Sequence, residues 1–296
     1  MPNRLIVLDQ NKLREDRAPE VVYALQNEPN THFVLPDIAF IEMTKNPDYR
    51  EKTLRGSLRL LACYPNRAHV SKGLHDCYKF ELSTLKSSAD HLTMRYHRNN
   101  FRRLLKTLAG GSEGLSDLQR ILEDPDNHYK ILAGQYFDDL ANKKRLGGII
   151  EAFKKALDES TLKNLRAKRL SRSDRVEIVY QRAPRLIAGL FKSMSIPESK
   201  AWFFQKKKPM ILREYYSMLL LAIDWISAGG FENAAPKTIT NDMIDLEYVI
   251  TATCFDGLFT GETRMIDAYN DLLNLLKRPP YPPSVPNTNY QIRTLR

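Results

Sequence analysis

The chain has 296 residues, 43% hydrophobic and 9% aromatic, which is enough for a buried core and excludes an intrinsically disordered protein. Its 45 Lys and Arg exceed its 35 Asp and Glu, so the net charge is +10. The irregularly spaced Cys63, Cys77 and Cys254 exclude a disulfide scaffold and indicate a reducing, cytoplasmic compartment. No apolar run reaches the roughly 20 residues of a membrane span and residues 1–7 lack signal-peptide features, so we expect a globular protein with no membrane partner.

The positive charge is concentrated in the middle of the chain. Residues 46–233 carry a balance of +13, whereas residues 1–45 carry −2 and residues 234–296 carry −1. This distribution favours a surface for a polyanion, for which we expect nucleic acid, and the alternative is an ordinary solvated helical surface. One further basic run spans residues 163–175. The basic residues assigned to nucleic-acid binding are Arg102, Arg103, Lys143, Lys144, Arg145, Lys206, Lys207 and Lys208.

The beginning of the chain alternates between predicted strands and helices. Residues 4–8 are a short, mostly apolar run ending at Asp9, and residues 32–35 form a second such run ending at Pro36. Apolar runs of this kind are typical of parallel strands covered on both faces. We predict helices over 15–26, 37–45 and 49–63 and a short strand over 68–71. This alternation indicates an α/β fold.

The middle and the end of the chain differ in their periodicity. From about residue 79 to residue 230 the apolar residues recur at helical spacing, which predicts a mostly helical insertion. After it, we predict a helix that begins with Thr240 or Asn241 as its N-cap, a strand over 255–260 and a helix over 261–276. The Pro-rich residues 279–296 are predicted to be an extended tail. The helices predicted within the insertion cover 79–108, 115–123, 127–141, 146–158, 173–193, 197–206 and 210–227.

Several acidic residues stand where a parallel sheet presents its ligand-binding edge. Asp9 ends the first strand, Glu42 follows the second, and Glu262 follows the last. Asp242 and Asp245 are separated by one helical turn and share a face. Carboxylates gathered at one edge repel one another unless a cation neutralises them, and such oxygen donors select Mg²⁺ or Mn²⁺. Acids in the first turn of a helix also stabilise that helix, which is the alternative role for Asp242 and Glu262.

The acidic segments resemble, in chain order and in secondary-structure setting, the acidic quartet of the PIN-domain nuclease family. The resemblance covers residues 1–45 and 237–275. It implies an α/β, PIN-like parallel-sheet core built from residues 1–78 and 231–278, interrupted by the basic insertion over 79–230 and followed by the tail over 279–296. The matching segments are Asp9-Gln10-Asn11, Ile41-Glu42-Met43-Thr44, Asn241-Asp242-Met243-Ile244-Asp245 and the run from Phe255 to Glu262.

The resemblance implies a metal-dependent nuclease that hydrolyses phosphodiester bonds, with RNA favoured over DNA. It implies that Asp9, Glu42, Asp245 and Glu262 are the catalytic acids and hold Mg²⁺ or Mn²⁺. Asp242 or Asp256 shares the coordination in this scheme, and Asn11 and Thr260 are auxiliary residues. Two alternatives stay open: a non-catalytic nucleic-acid-binding scaffold, and a toxin or defence effector silenced by an inhibitory protein partner. Assembly into a homo-oligomer is also left open.

Overall fold

The computed structural model describes residues 3–13, 18–93, 95–110, 134 and 136–279 of the chain. Four strands form one parallel sheet: β1 (Arg4–Leu8), β2 (Thr31–Leu35), β3 (Ala68–Val70) and β4 (Gly257–Phe259). Their order across the sheet is β3-β2-β1-β4, and Ile6 of β1 lies opposite both Phe33 and Gly257. The predicted α/β class with a parallel sheet is therefore confirmed, and the two ends of the chain meet in that sheet.

Helices surround the sheet and form most of the middle of the chain. Val7, Leu8, Val34 and Leu35 have no exposed surface, because helices cover both faces of the strands on which these residues lie. None of the described helices has the length and apolarity that crossing a membrane requires. The helices are α1 (Pro19–Asn27), α2 (Asp37–Thr44), α3 (Arg50–Ala62), α4 (Leu74–Thr84), α5 (Arg95–Leu108), α6 (Asp139–Ala156), α7 (Glu159–Arg166), α8 (Arg172–Ser193), α9 (Glu198–Lys206), α10 (Met210–Ala228), α11 (Pro236–Ala252) and α12 (Thr263–Lys277).

Some predicted boundaries are wrong. The single helix predicted over 79–108 is two α-helices, because the chain leaves α4 at Leu85 in a left-handed conformation. Only a short 3-10 turn over Ala89–His91 precedes the next α-helix, which begins at Arg95. The helix predicted to begin at Thr240 or Asn241 begins at Pro236, whose fixed φ suits a first turn. The helix α7 lies partly inside the basic run 163–175 and was not predicted. Residues 111–133 contain the helix predicted over 115–123 and about half of the one predicted over 127–141. Like residues 280–296 of the tail, they lie outside the described residues.

A buried carboxylate joins α4 to the start of α10. Glu81 of α4 is completely buried and accepts hydrogen bonds from the backbone N–H groups of Met210 (2.8 Å) and Ile211 (3.1 Å). The backbone N–H and the hydroxyl of Ser88 also donate to it, each at 2.8 Å. The first N–H groups of a helix have no partner within the helix, and the N-cap of α10 is a proline without a side-chain hydrogen bond. Glu81 therefore supplies the missing cap from a distant part of the chain.

Candidate metal centre

The first carboxylate of the candidate site is fixed at the carboxyl edge of the sheet. Asp9 follows β1, and its backbone N–H donates to the carbonyl of Phe259 at the end of β4 (3.0 Å). The hydroxyl of Thr260 donates to Asp9 Oδ2 (2.8 Å), and the backbone N–H of Asn11 donates to Oδ1 (3.1 Å). Only 4% of Asp9 is exposed, and this burial raises its pKa. Both carboxylate oxygens are therefore held in one orientation.

The segments that follow β1 and β4 also position a second carboxylate, that of Glu262. The side-chain amide of Asn11 donates to Glu262 Oε1 (3.3 Å), although the two residues are 251 positions apart in the chain. The backbone N–H of Glu262 donates to the hydroxyl of Thr260 (3.1 Å). Thr260 thus links Asp9 with Glu262, and Asn11 contacts both. Glu262 is exposed, whereas Asp9 is buried.

Glu42 comes to the same edge from α2. The hydroxyl of Tyr248 on α11 donates to Glu42 Oε2 (2.6 Å). Burial raises the pKa of Glu42, and the nearby negative charges of Asp9 and Glu262 raise it further, against the opposing effect of the Tyr248 hydrogen bond. Tyr248 is itself almost completely buried, so the carboxyl group of Glu42 is held by a rigid neighbour.

The surroundings of Asp245 strongly raise the pKa of its carboxyl group. Burial and then repulsion from the other acids, chiefly Glu262, Asp9 and Glu42, raise its pKa to about 8. Its carboxyl group makes no side-chain hydrogen bond or ion pair in the part of the chain that the structure describes. Asp245 also lines a cleft of about 600 Å³ between α10, α11 and α12. Of the four acids, Asp245 is therefore the one that also lines this cleft.

Two of the predicted acids have other roles. Asp242 is buried and accepts hydrogen bonds from Arg264 Nη1 (2.6 Å) and Trp225 Nε1 (3.0 Å), so its carboxylate already has a cationic partner. Asp256 precedes β4 and binds the backbone N–H of Leu5 (2.7 Å), at the opposite end of β1 from Asp9. The prediction that Asp256 shares metal coordination is therefore wrong, and Asp242 is occupied by an ion pair.

The donor chemistry of the cluster suits a hard divalent cation, since its four acids offer only oxygen atoms and repel one another. Within the described ranges, however, no three His, Cys, Asp or Glu side chains stand close enough to hold one ion as they lie. The donor types and the excess negative charge fit Mg²⁺ or Mn²⁺, while the described side chains do not form an assembled ligand cage.

Several of the basic residues predicted to bind nucleic acid have partners within the protein. Lys143 Nζ donates to the carbonyls of Glu232 and Ala234, both at 2.8 Å, and Arg145 forms an ion pair with Glu214 at 2.6 Å. Arg102 donates to the carbonyl of Asn66, 36 residues away (3.2 Å). Lys144, Arg103, Lys206 and Lys207 lie on the surface, whereas Lys208 is half-buried. The structure therefore gives Lys143 and Arg145 structural roles that compete with phosphate binding.

Three side chains that the sequence did not predict lie near the acidic cluster: Tyr248, Arg264 and Lys12. Tyr248 follows Asp245 by three residues, and that spacing on one helical face was the available signal. Arg264 follows Glu262 by two residues and forms an ion pair with Asp242. Lys12, whose positive charge opposes the raised pKa of Asp9, also packs its ammonium 5.8 Å from the centre of the Phe259 ring. No sequence pattern pointed to Lys12 or Arg264.

The site is thus assembled by four separate segments, which are the end of β1, α2, α11 and the loop after β4. The order of these segments along the chain is the order on which the PIN resemblance was based. The resemblance itself stays a prediction. In comparisons with known proteins, the chain matches no protein-family model, no curated protein and no solved structure.

Proposed function

We propose that this protein is a metal-dependent nuclease that hydrolyses phosphodiester bonds, with RNA as the favoured substrate. The observation that carries the proposal is that four acids from distant segments meet at one edge of a parallel sheet. Asn11 and Thr260 join Asp9 to Glu262 there by hydrogen bonds, and Tyr248 of the helix that carries Asp245 holds Glu42. Four acids brought together from distant segments destabilise the protein unless a cation or a proton joins them. Such an arrangement is costly for a purely structural site and suits the binding of divalent cations.

The residues of the site have distinct roles in this proposal. Asp9, Glu42, Asp245 and Glu262 would hold Mg²⁺ or Mn²⁺, which would supply Lewis-acid stabilisation of the phosphate charge. Thr260 and Asn11 orient Asp9, and Tyr248 orients Glu42, so that these carboxyl groups are fixed before the substrate arrives. Asp245 faces the cleft and is the acid next to the scissile phosphate. Asp242 does not bind the ion but adds negative charge close to Asp245.

In this proposal the nucleic-acid strand enters the cleft beside Asp245, whose wall carries four basic residues and five aspartates. Its wall includes Lys168, Arg172 and Arg175 from the basic run 163–175. Arg172 and Arg175 already pair with aspartates, through Asp271 (2.8 Å) and Asp224 (2.6 Å). Lys168 is exposed and has no side-chain partner among the described residues. We therefore assign to Lys168 a contact with a substrate phosphate.

The nuclease activity is tested by cleavage of labelled single-stranded RNA, structured RNA and DNA in Mg²⁺, in Mn²⁺ and in EDTA. We expect wild-type protein to cleave RNA only with a metal ion. Asp9→Asn is expected to lower the cleavage rate at least about 100-fold, because it removes a charged oxygen ligand. Asp256→Asn is the matched control, since Asp256 lies at the amino ends of the strands, away from Asp9. This variant is expected to cleave at the wild-type rate.

The outcomes of this assay separate the proposal from its alternatives. Cleavage that persists in EDTA, or that Asp9→Asn leaves unchanged, contradicts a metal-dependent site at Asp9. RNA binding without cleavage under any metal condition selects the non-catalytic scaffold, which the unassembled ligand cage favours. Activity that appears only after a co-purifying protein is removed selects the silenced effector.

Binding to single-stranded RNA is expected to weaken steeply as salt concentration rises, because each phosphate contact releases counterions. In a plot of the logarithm of the association constant against the logarithm of salt concentration, Lys168→Gln should reduce the slope by about 0.7. The control is Lys155→Gln, which removes an exposed lysine at the end of α6 that does not line the cleft. Fluorescence anisotropy with metal-free protein measures both slopes. A flat salt dependence contradicts the assignment of the cleft to nucleic acid.

A further inference from the structure

Two lysines lie beside the acidic cluster, and each follows one of its acids by three residues. Lys12 follows Asp9 and ends a short 3-10 turn, while Lys45 follows Glu42 and is the C-cap of α2. Burial raises the pKa of both acids, and the charge of the adjacent lysine opposes that rise in each case. Both lysines are therefore close enough to act electrostatically on the site.

The side chain of Lys12 is placed by the segment after β4. Its Nζ lies 5.8 Å from the centre of the Phe259 ring. A β-carbon added to Gly261 would lie only 3.2 Å from Lys12 Cε, so Lys12 passes directly over the glycine that separates Thr260 from Glu262. Within the described part of the chain, its ammonium group forms no hydrogen bond and no ion pair. All three of its N–H donors are therefore available to a ligand.

Lys45 has a similar arrangement on the other side of the cluster. It is exposed, its Nζ lies 4.9 Å from the centre of the Phe137 ring, and its ammonium group has no hydrogen-bond or ion-pair partner among the residues that the structure describes. Lys12 packs against the segment after β4, whereas Lys45 follows the helix after β2, and these two strands lie on opposite sides of β1. The two lysines are thus placed toward opposite sides of the cluster.

The charge of the cluster gives these lysines a reason to be there. Four carboxylates repel a polyanion, and the repulsion extends to the phosphates on both sides of the one that reacts. An ammonium group with unused donors offsets this repulsion at each flanking phosphate. Lysine suits such a contact, because it is a compact charge that binds phosphate oxygens.

We propose that Lys12 and Lys45 bind the backbone phosphates on the two sides of the scissile phosphate. The strand then crosses the acidic cluster from the β4 side toward the end of α2. This inference rests on the proposed function for the identity of the ligand, and it adds the path of the strand and the residues that position it. Because phosphates carry no sequence information, the two contacts are independent of the bases.

The test is fluorescence anisotropy of a short labelled oligouridine in EDTA, which measures binding without cleavage. Lys12→Met and Lys45→Met remove the charge and keep an apolar stem. Each should weaken binding about three- to tenfold and reduce the salt slope by about 0.7, with the same loss for an oligoadenosine of equal length. The double variant should lose about the product of the two factors, because the lysines contact different phosphates. Lys12→Arg should bind within about twofold of the wild type.

The matched control is Lys192→Met. Lys192 is exposed and lies in the last turn of α8, about 30 Å along that helix from Arg172 at its start. This variant should bind oligouridine like the wild type. Circular dichroism should show the same folded structure for all the variants.

A double-mutant cycle with Asp9→Asn separates a phosphate contact from simple neutralisation of the acids. If Lys12 binds a phosphate, Lys12→Met should weaken RNA binding by a similar factor in the wild type and in Asp9→Asn. If Lys12 serves only to neutralise Asp9, the loss should vanish in Asp9→Asn. That result would overturn the assignment of Lys12.

The failure of this proposal is distinguishable from the failure of the nuclease. The proposal is overturned if wild-type protein does not bind oligouridine, or if both methionine variants bind it as tightly as the wild type. Metal-dependent cleavage with an unchanged KM in both variants would also overturn it, while leaving the nuclease activity established. Weaker binding by both variants of a protein that never cleaves RNA would support the phosphate contacts and contradict the nuclease.

Discussion

Replacing Glu81 by alanine is expected to lower the free energy of unfolding by about 3–5 kcal/mol. Glu81 has no exposed surface and accepts four hydrogen bonds, two from the start of α10 and two from Ser88. The alanine variant leaves the N–H groups of Met210 and Ile211 buried without an acceptor. It also removes the connection that fixes α10 against α4, so the loss exceeds that of an ordinary helix cap.

Urea denaturation followed by circular dichroism measures this loss. The control is Glu232→Ala, which removes an exposed glutamate and should change the free energy of unfolding by less than about 0.5 kcal/mol. Glu81→Gln should also destabilise the protein, because an amide has one acceptor oxygen where the carboxylate has two. A loss of less than about 1 kcal/mol for Glu81→Ala would show that α10 is held by its apolar contacts alone.

The position of the acidic cluster was predictable because it follows from the ends of strands. The apolar run of β1 stops at Asp9, and parallel strands bring their carboxyl ends to one edge. Glu262 follows the last strand in the same way. The helical spacing of Asp245 then places it on the side of α11 that faces this edge. These inferences use short-range patterns, which a sequence carries directly.

The errors concern features that depend on register and on distant partners. Asp256 belongs to the segment predicted as a strand. Only the pairing of Gly257 with Ile6 shows that Asp256 lies at the amino end of β4, whereas Asp9 lies at the carboxyl end of β1. Asp242 shares a helical face with Asp245, and its ion pair with Arg264 depends on how α12 packs against α11. A one-residue shift in the pairing of β4 with β1 would move Asp256 along the sheet. A one-residue shift of α12 against α11 would likewise change the partner of Asp242.

The helical insertion was the least predictable part for a physical reason. Its periodicity identifies helices, but its ion pairs join residues far apart in the chain, as Arg145 and Glu214 show. The break after α4 occurs at Leu85, a residue type that rarely adopts a left-handed conformation, so the sequence contains no glycine to mark it. The capping role of Glu81 depends on the same break, because the turn places Ser88 beside it.

Asp245→Asn is expected to stabilise the metal-free protein at alkaline pH, by about 1–3 kcal/mol once its partial exposure is considered. Burial and the neighbouring acids raise the pKa of Asp245 to about 8 from 3.8. A carboxyl group with a raised folded pKa contributes stability that is present below its unfolded pKa and is lost as pH rises through the folded pKa. In EDTA, the wild type should therefore lose stability relative to Asp245→Asn between about pH 4 and pH 8.

Urea denaturation of both proteins at several pH values, in EDTA and in Mg²⁺, tests this prediction together with the proposed cation site. In EDTA the advantage of Asp245→Asn should be small near pH 5 and should grow toward pH 8. Mg²⁺ should stabilise the wild type by binding its folded state, and should stabilise Asp245→Asn less, because the variant lacks one charged oxygen donor. Asp256→Asn should follow the wild type under every condition.

An advantage of Asp245→Asn that is independent of pH would mean that Asp245 does not ionise in this range. If Mg²⁺ stabilised both proteins equally, its affinity for the folded protein would not depend on Asp245. The cation would then bind away from Asp245.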